Sequence, residues 1–151
     1  MRQKSTHTIW LDVDGMRIHC LTAGESSSPP VILLHGGGID SATLSWEDAI
    51  VPLSRIAQVF APDLPGYGLS DTPDIQYTTD FYIQFVKRLL DVLHLDKISL
   101  IGLSMGGAIS LGFALRFPDR IEKLVLVAPG GFQDYAVTWS RWMYITGYLF
   151  V

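Results

Sequence analysis

A serine set between glycines is the residue of this chain best suited to covalent chemistry. The sequence Gly-Leu-Ser-Met-Gly at residues 102–106 places Ser104 between a predicted strand, residues 98–101, and a predicted helix, residues 105–117. A serine hydroxyl is a weak nucleophile, so it must be held exposed on a sharp turn, where flanking glycines let the backbones pack closely. The helix that begins at Met105 adds backbone N–H groups and a positive dipole end. Ser104 is therefore the candidate nucleophile, and the Met105 N–H would point at a developing oxyanion.

A second glycine run supports this interpretation. His-Gly-Gly-Gly at residues 35–38 directly follows residues 31–34, an apolar run typical of a strand buried on both faces. The loop at this position can supply the second N–H donor of an oxyanion hole. Taken alone, the pattern around Ser104 also occurs in ordinary turns, where the serine only caps the helix. Together, the two motifs favour a catalytic site over an ordinary turn.

The elements that must position these residues alternate between strands and helices. Strands are predicted at residues 7–12, 16–21, 31–34, 59–61, 98–101 and 124–127, and helices at residues 46–56, 81–93 and 105–117. Asp14-Gly15 favours a tight hairpin turn, so the first two strands should be antiparallel. Either Thr78 or Thr79 can cap the second helix. The alternation indicates βαβ units and a mostly parallel sheet.

Composition narrows the classes of function. The chain has 151 residues, is 48% hydrophobic and carries 11 Lys+Arg against 15 Asp+Glu, which fits one packed domain. Only 17% of residues are charged and no run of like charges occurs, which argues against nucleic-acid binding and against a polybasic membrane patch. A small-molecule substrate is the expected partner.

Several alternatives are set aside on sequence patterns. Residues 98–115 are uncharged and approach the length of a membrane span, but their period changes at Ser104 from strand to helix. The first fifteen residues lack the apolar core of a signal peptide, so a cytoplasmic location is expected. A lone Cys20 predicts a small apolar filler in a strand. Neither nucleotide-binding glycine spacing nor a cluster with metal-ligand spacing is visible, so we expect no cofactor and no metal.

Four segments, in this order, resemble the α/β-hydrolase superfamily, and the resemblance runs along essentially the whole chain. They are Leu-Leu-His-Gly-Gly-Gly at 33–38, Asp-Leu-Pro-Gly-Tyr-Gly-Leu-Ser at 63–70, Gly-Leu-Ser-Met-Gly-Gly at 102–107 and Phe-Pro-Asp-Arg at 117–120. Together with Ala-Pro-Gly-Gly at 128–131, they look most like the meta-cleavage-product hydrolases, which cleave carbon–carbon bonds in ring-fission products. Carboxylesterases are the next most similar group.

The resemblance implies a fold and a set of roles. The fold would be α/β, a mostly parallel sheet of about six strands with an antiparallel N-terminal hairpin and helices on both faces. Ser104 would be the nucleophile, Met105 N–H one oxyanion donor, and Gly37 N–H the other, with Gly38 as the alternative. The third and fifth strands would be neighbours, so that the loops after them face each other across a crevice. A serine at this position argues against the family's epoxide hydrolases and haloalkane dehalogenases, which place aspartate there.

The family's catalytic acid and histidine follow the nucleophile in the chain, on loops that this sequence does not contain. Residues 1–131 are therefore expected to form the N-terminal half of the core, C-terminally incomplete, and residues 132–151 the truncated start of an aromatic cap or lid. His35 is expected to support its loop rather than take a proton, and His94 to meet the dipole and solvent at a helix end. Asp134 is a conceivable acid, with an exposed loop carboxylate as the alternative.

Two hypotheses follow for function. The first is a serine hydrolase of small esters or ring-fission products, whose acid and histidine come from missing sequence or from a second chain. The second is a half-fold without catalytic activity, either a binding module whose aromatic tail packs on a partner or an inactive truncated fragment. Self-association or a second chain could complete the fold in either case.

Overall fold

A computed structural model describes residues 6–131 of the protein, which form one mixed sheet with helices on both of its faces. The strands are β1 (His7–Val13), β2 (Met16–Ala23), β3 (Pro30–Leu34), β4 (Gln58–Pro62), β5 (Ile98–Leu103) and β6 (Ile121–Val127). The helices are α1 (Ala42–Leu53), α2 (Thr79–Val92) and α3 (Met105–Arg116), and a short 3-10 helix, Pro118–Arg120, precedes β6.

The strand order in the sheet is β1-β2-β4-β3-β5-β6. The pairs β1/β2 and β2/β4 are antiparallel, whereas β4, β3, β5 and β6 run parallel to one another. Asp14 and Gly15 join β1 to β2 with φ angles of 55° and 79°, the positive values that a tight hairpin turn requires. The predicted antiparallel opening and the predicted β3/β5 pairing are both confirmed. Since Leu34 lies opposite Gly102, both strands end at the same edge of the sheet.

The core lies in two layers because each buried strand alternates its side chains between the faces. Val31 and Leu33 of β3 pack with α1, whereas Ile32 and Leu34 pack with α2 and α3. Cys20 is fully buried in the second layer, as predicted for an apolar filler, and burial raises the pKa of its thiol.

Two elements begin three or four residues earlier than predicted. Helix α1 begins at Ala42 instead of residue 46, because the Ser41 hydroxyl accepts the Leu44 N–H and caps the helix four residues earlier. Strand β6 begins at Ile121 instead of residue 124, because the polar, exposed Glu122 and Lys123 separate Ile121 from the apolar pattern that follows. Of the two candidate caps of α2, Thr78 accepts the Phe81 N–H.

The uncharged stretch at residues 98–115 divides at Ser104 into β5 and α3, as its change of period predicts. Within residues 6–131 no helix is long and apolar enough to cross a membrane. The predicted cap at residues 132–151, including Asp134, lies outside the described residues.

Candidate active site

Ser104 occupies a strained turn between β5 and α3. Its φ and ψ angles are 51° and −112°, a left-handed conformation that is costly for a residue with a Cβ atom. The surrounding backbone holds it there: the Ser104 N–H donates to the Val127 carbonyl at 2.9 Å, and the Ser104 carbonyl accepts from the N–H groups of Gly130 at 2.9 Å and Ala108 at 3.1 Å. Strain held by several contacts is typical of functional positions.

The side chain of Ser104 does not cap α3. It makes no hydrogen bond to the free N–H groups of the first turn, unlike Ser41 and Thr78, which cap α1 and α2. The alternative in which Ser104 merely caps the helix is therefore wrong. Ser104 is exposed, so its hydroxyl lies where a substrate can reach it.

The glycines on either side of Ser104 are required by close backbone contacts. A Cβ atom on Gly102 would lie 2.2 Å from the Gly106 carbonyl oxygen, closer than any real contact of this kind. A Cβ atom on Gly106 would lie 2.4 Å and 2.5 Å from the carbonyl oxygens of Leu34 and His35. Helix α3 can thus rest against the ends of β5 and β3 only because both positions lack side chains.

The glycine loop after β3 faces the Ser104 turn, as the adjacency of β3 and β5 predicts. A Cβ atom on Gly36 would lie 3.5 Å from the Ser104 Cβ, and one on Gly37 would lie 3.5 Å from the Met105 Cβ. Gly38 has a φ of 77°, and a Cβ atom there would meet nothing within 4 Å. The loop therefore approaches Met105 through Gly37.

Asp40, which the sequence analysis did not single out, fixes this loop. Its carboxylate accepts the Gly36 N–H at 2.8 Å, the Ser41 N–H at 2.7 Å and the Ser45 hydroxyl at 2.8 Å. The Gly36 N–H is thereby occupied and does not face the site. The available signal was an acidic residue beside the helix-capping Ser41.

His35 also holds this glycine loop in place. Its Nε2 accepts the Leu64 N–H at 2.9 Å, and its Nδ1 donates to the Gly36 carbonyl at 2.7 Å. An acceptor at Nε2 requires the neutral ring, and burial correspondingly lowers the pKa of His35. The prediction that His35 holds the loop rather than taking a proton agrees with both contacts.

Tyr67, from the loop between β4 and α2, reaches the same place. Its ring packs edge-on against His35 at a centroid distance of 5.1 Å, and its hydroxyl lies 3.5 Å from the Met105 Sδ. Apart from the family resemblance of residues 63–70, no sequence pattern predicts a role for Tyr67.

The sequence model of the alpha/beta hydrolase fold family matches residues 29–151 of this chain. The chain belongs to the α/β-hydrolase fold family. The 2-hydroxy-6-oxo-2,4-heptadienoate hydrolase of Pseudomonas putida is 40% identical over 116 residues, which cover 76% of this chain and 41% of that relative.

Solved structures agree with this family membership. A serine hydrolase involved in carbazole degradation superposes with a TM-score of 0.81 at 32% identity, over 86% of this chain and 50% of that one. The 2-hydroxy-6-oxo-6-phenylhexa-2,4-dienoate hydrolase of a Rhodococcus species gives 0.77 at 29% identity, over 83% and 47%. The predicted resemblance to meta-cleavage-product hydrolases is confirmed, and the chain spans half or less of the length of these relatives.

None of the four histidines of the chain, all of which lie in the described region, is placed to activate Ser104. His35 is engaged at both nitrogens, as above. His19 lies on β2, which is separated from β5 by three interstrand spacings, or about 14 Å. His94 is exposed before the start of β5, at the other end of the sheet, and His7 lies on the edge strand β1.

Asp63 connects the loop at residues 63–70 to α1 and β2. Its carboxylate accepts the Leu69 N–H at 2.9 Å, within a turn at the end of β4. It also accepts the Ala42 N–H at 2.7 Å and contacts the His19 Nδ1 at 2.8 Å, two contacts that sequence spacing could not predict. Buried Asp63 therefore ties the Tyr67 loop to α1 and β2.

Arg120 has a structural role. Its guanidinium donates to the carbonyl oxygens of Leu95 at 2.9 Å and Asp96 at 2.7 Å. It thereby fastens the connection between α3 and β6 to the loop before β5.

Proposed function

We propose that this protein is a serine hydrolase in which Ser104 attacks the carbonyl carbon of its substrate. The observation that carries the proposal is the strained, exposed Ser104, which faces a glycine loop and does not cap its helix. The Ser104 Oγ forms a bond to the carbonyl carbon, while a base takes the hydroxyl proton. The bond between the carbonyl carbon and its leaving group then breaks, the leaving group takes the proton from the base, and water attacks the acyl-enzyme to release the acid product and free Ser104.

The charge that develops on the carbonyl oxygen is held by two backbone N–H groups, those of Met105 and Gly37. Met105 is the first residue of α3, whose N-terminal dipole also favours negative charge. Gly37 is preferred over Gly38 because its backbone lies against Met105. One such donor contributes about 3 to 4 kcal/mol to transition-state stability.

The substrate class follows from the named relatives. The relatives act, by their names, on 2-hydroxy-6-oxo-dienoates. We assign this protein to the same class, the ring-fission products whose 6-oxo group offers a carbonyl to Ser104. Hydrolysis breaks the carbon–carbon bond beside that carbonyl; the acyl fragment takes the hydroxyl of water and the leaving carbon takes a proton. A small ester offers the same carbonyl and is the alternative substrate.

The base and its acid partner come from outside residues 6–131, in further sequence or in a second chain. This assignment rests on the positions of the four histidines, since His35 is engaged and the other three lie far from Ser104. In either case the base must come within about 3 Å of the Ser104 Oγ.

Fluorophosphonate labelling tests the activation of Ser104 directly. The purified chain is labelled, and the modified peptide is located by mass spectrometry. We expect modification at Ser104, none in Ser104→Ala, and normal labelling in Ser27→Ala, which removes an exposed loop hydroxyl. A folded chain whose Ser104 reacts no faster than in urea-unfolded protein would contradict activation of Ser104 within this chain or its self-assembly, and would favour the inactive-fragment hypothesis.

Substrate class is tested next by turnover. Loss of the dienoate absorbance of a 2-hydroxy-6-oxo-dienoate is compared with release of 4-nitrophenol from 4-nitrophenyl butyrate. Faster turnover of the dienoate supports the carbon–carbon assignment. Turnover of the ester alone would replace it with an esterase.

A further inference from the structure

We propose that the Tyr67 hydroxyl is a substrate-binding donor that selects acyl groups carrying an oxygen acceptor beyond the reacting carbonyl. This inference rests on the proposed function and narrows it to substrates whose acyl fragment carries a further oxygen, which the acetyl and benzoyl fragments of the two named relatives' substrates lack. It assigns Tyr67 to specificity, while the oxyanion itself stays with the backbone N–H groups of Met105 and Gly37.

The ring of Tyr67 is held in place by its loop. The Tyr67 N–H donates to the Leu64 carbonyl at 2.9 Å, and the ring packs edge-on against buried His35 at an interplanar angle of 64°. His35 is itself fixed by the Leu64 N–H. A half-buried ring with these contacts keeps its hydroxyl in one position, as a specificity group requires.

The hydroxyl lies between the two loops that supply the candidate oxyanion donors. It is 3.5 Å from the Met105 Sδ and 3.8 Å from the position that a Cβ on Gly37 would take. An acyl group bonded to Ser104 must lie beside these same two residues, so the hydroxyl is within reach of it.

The present partner of the hydroxyl is a weak one. A thioether sulfur is a poor acceptor, and methionine has three rotatable bonds through which it can move aside. The other two tyrosines in residues 6–131 differ: Tyr77 donates to the Pro73 carbonyl at 2.7 Å and Tyr82 to the Pro65 carbonyl at 3.0 Å. Only the Tyr67 hydroxyl, of these three, would gain by exchanging its partner for a substrate oxygen.

The contact between the Tyr67 hydroxyl and Met105 also indicates which part of the substrate is recognised. Tyr67 contacts the Met105 side chain at Sδ, whereas the oxyanion is assigned to the Met105 backbone N–H. The hydroxyl is therefore paired with the acyl group beside the Met105 side chain, and the reacting oxygen is left to the backbone N–H groups. A keto, carboxylate or ether oxygen on the acyl group would accept its hydrogen bond.

Ligand binding to the full chain tests the proposed role of the Tyr67 hydroxyl without requiring turnover. In a Ser104→Ala background, methyl 4-oxopentanoate is compared with methyl 4-methylpentanoate, which has nearly the same shape but lacks the keto oxygen. Carbon-13-methyl methionine spectra report binding through the Met105 methyl, assigned with Met105→Leu. Tyr67→Phe removes only the hydroxyl, and Tyr77→Phe is the matched control.

We expect the parent to prefer the oxo ester, Tyr67→Phe to reduce that preference about tenfold, and Tyr77→Phe to leave it within about twofold. Three results would overturn the inference: an unchanged preference in Tyr67→Phe, equal weakening of both ligands, or no Met105 shift with either ligand. Failure of Ser104 labelling alongside an intact preference would instead overturn the proposed chemistry and leave the binding role of Tyr67 in place.

Discussion

Replacing Asp40 by alanine should release the glycine loop and measurably destabilise the fold. The carboxylate accepts three hydrogen bonds, from the N–H groups of Gly36 and Ser41 and from the Ser45 hydroxyl. In Asp40→Ala the Ser41 N–H and the Ser45 hydroxyl can turn to water. The Gly36 N–H cannot turn to water easily, because Gly36 is buried.

The magnitude follows from these contacts. A buried donor left unsatisfied costs about 1 to 3 kcal/mol, and each of the two more accessible hydrogen bonds contributes about 0.5 kcal/mol. The free energy of unfolding should therefore fall by about 2 to 4 kcal/mol. With a urea dependence of about 2 kcal/mol per molar, this lowers the urea midpoint by about 1 to 2 M. Asp40→Asn keeps one side-chain oxygen and should lose about half as much.

Urea unfolding followed by tryptophan fluorescence measures this change. Asp48→Ala is the matched control, because Asp48 is exposed on α1, and its stability should differ from the parent by no more than about 0.5 kcal/mol. A loss in Asp40→Ala no larger than in Asp48→Ala would refute the argument that Asp40 fixes the loop.

Two further predictions concern buried positions of the same site. Gly102→Ala should lower the free energy of unfolding by about 3 kcal/mol or more, because its Cβ would meet the Gly106 carbonyl oxygen at 2.2 Å. Gly130→Ala, where the nearest atom is 3.6 Å away, is the control, and equal losses in thermal denaturation would disprove the steric reason. His35 should make stability fall on acidification: its folded pKa lies below the ordinary 6.5, so its contribution is complete above pH 6.5 and is lost as the unfolded chain takes up a proton below it. Urea midpoints measured from pH 7.5 to pH 5 should show this fall. The fall should be smaller in His35→Gln, whose amide can still accept the Leu64 N–H. An equal fall in both proteins would show that His35 is not the source of the pH dependence.

Local signals were enough to predict most of the elements. Asp14-Gly15 selects a tight turn through its own backbone preferences, and the apolar run at residues 31–34 is short and buried on both faces. The adjacency of β3 and β5 came from the resemblance, since no local pattern reports strand order. Helix α1 was placed too late because its apolar pattern starts at Trp46, whereas the Ser41 cap determines where the helix begins.

The contacts that build the site were harder to predict because they join distant parts of the chain. Asp63 contacts His19 across 44 positions and the Ala42 N–H across 21, and Tyr67 reaches Met105 across 38. Each of these residues has an ordinary local explanation, such as a turn aspartate or a strand histidine. Only the pairing of β2 with β4, and the packing of the loops after β3, β4 and β5 at one sheet edge, bring them together.

The two glycine motifs are parts of one physical unit, which is why their joint occurrence means more than either does alone. Gly106 lies after Ser104 in the chain, yet the atoms it must avoid are the carbonyl oxygens of Leu34 and His35, at the start of the other motif. A side chain at Gly106 would push α3 away from β3 and separate Met105 from Gly37. The glycine after the serine therefore maintains the spacing between the two candidate oxyanion donors. This spacing is set within residues 6–131, so it does not depend on which segment or chain supplies the base for Ser104.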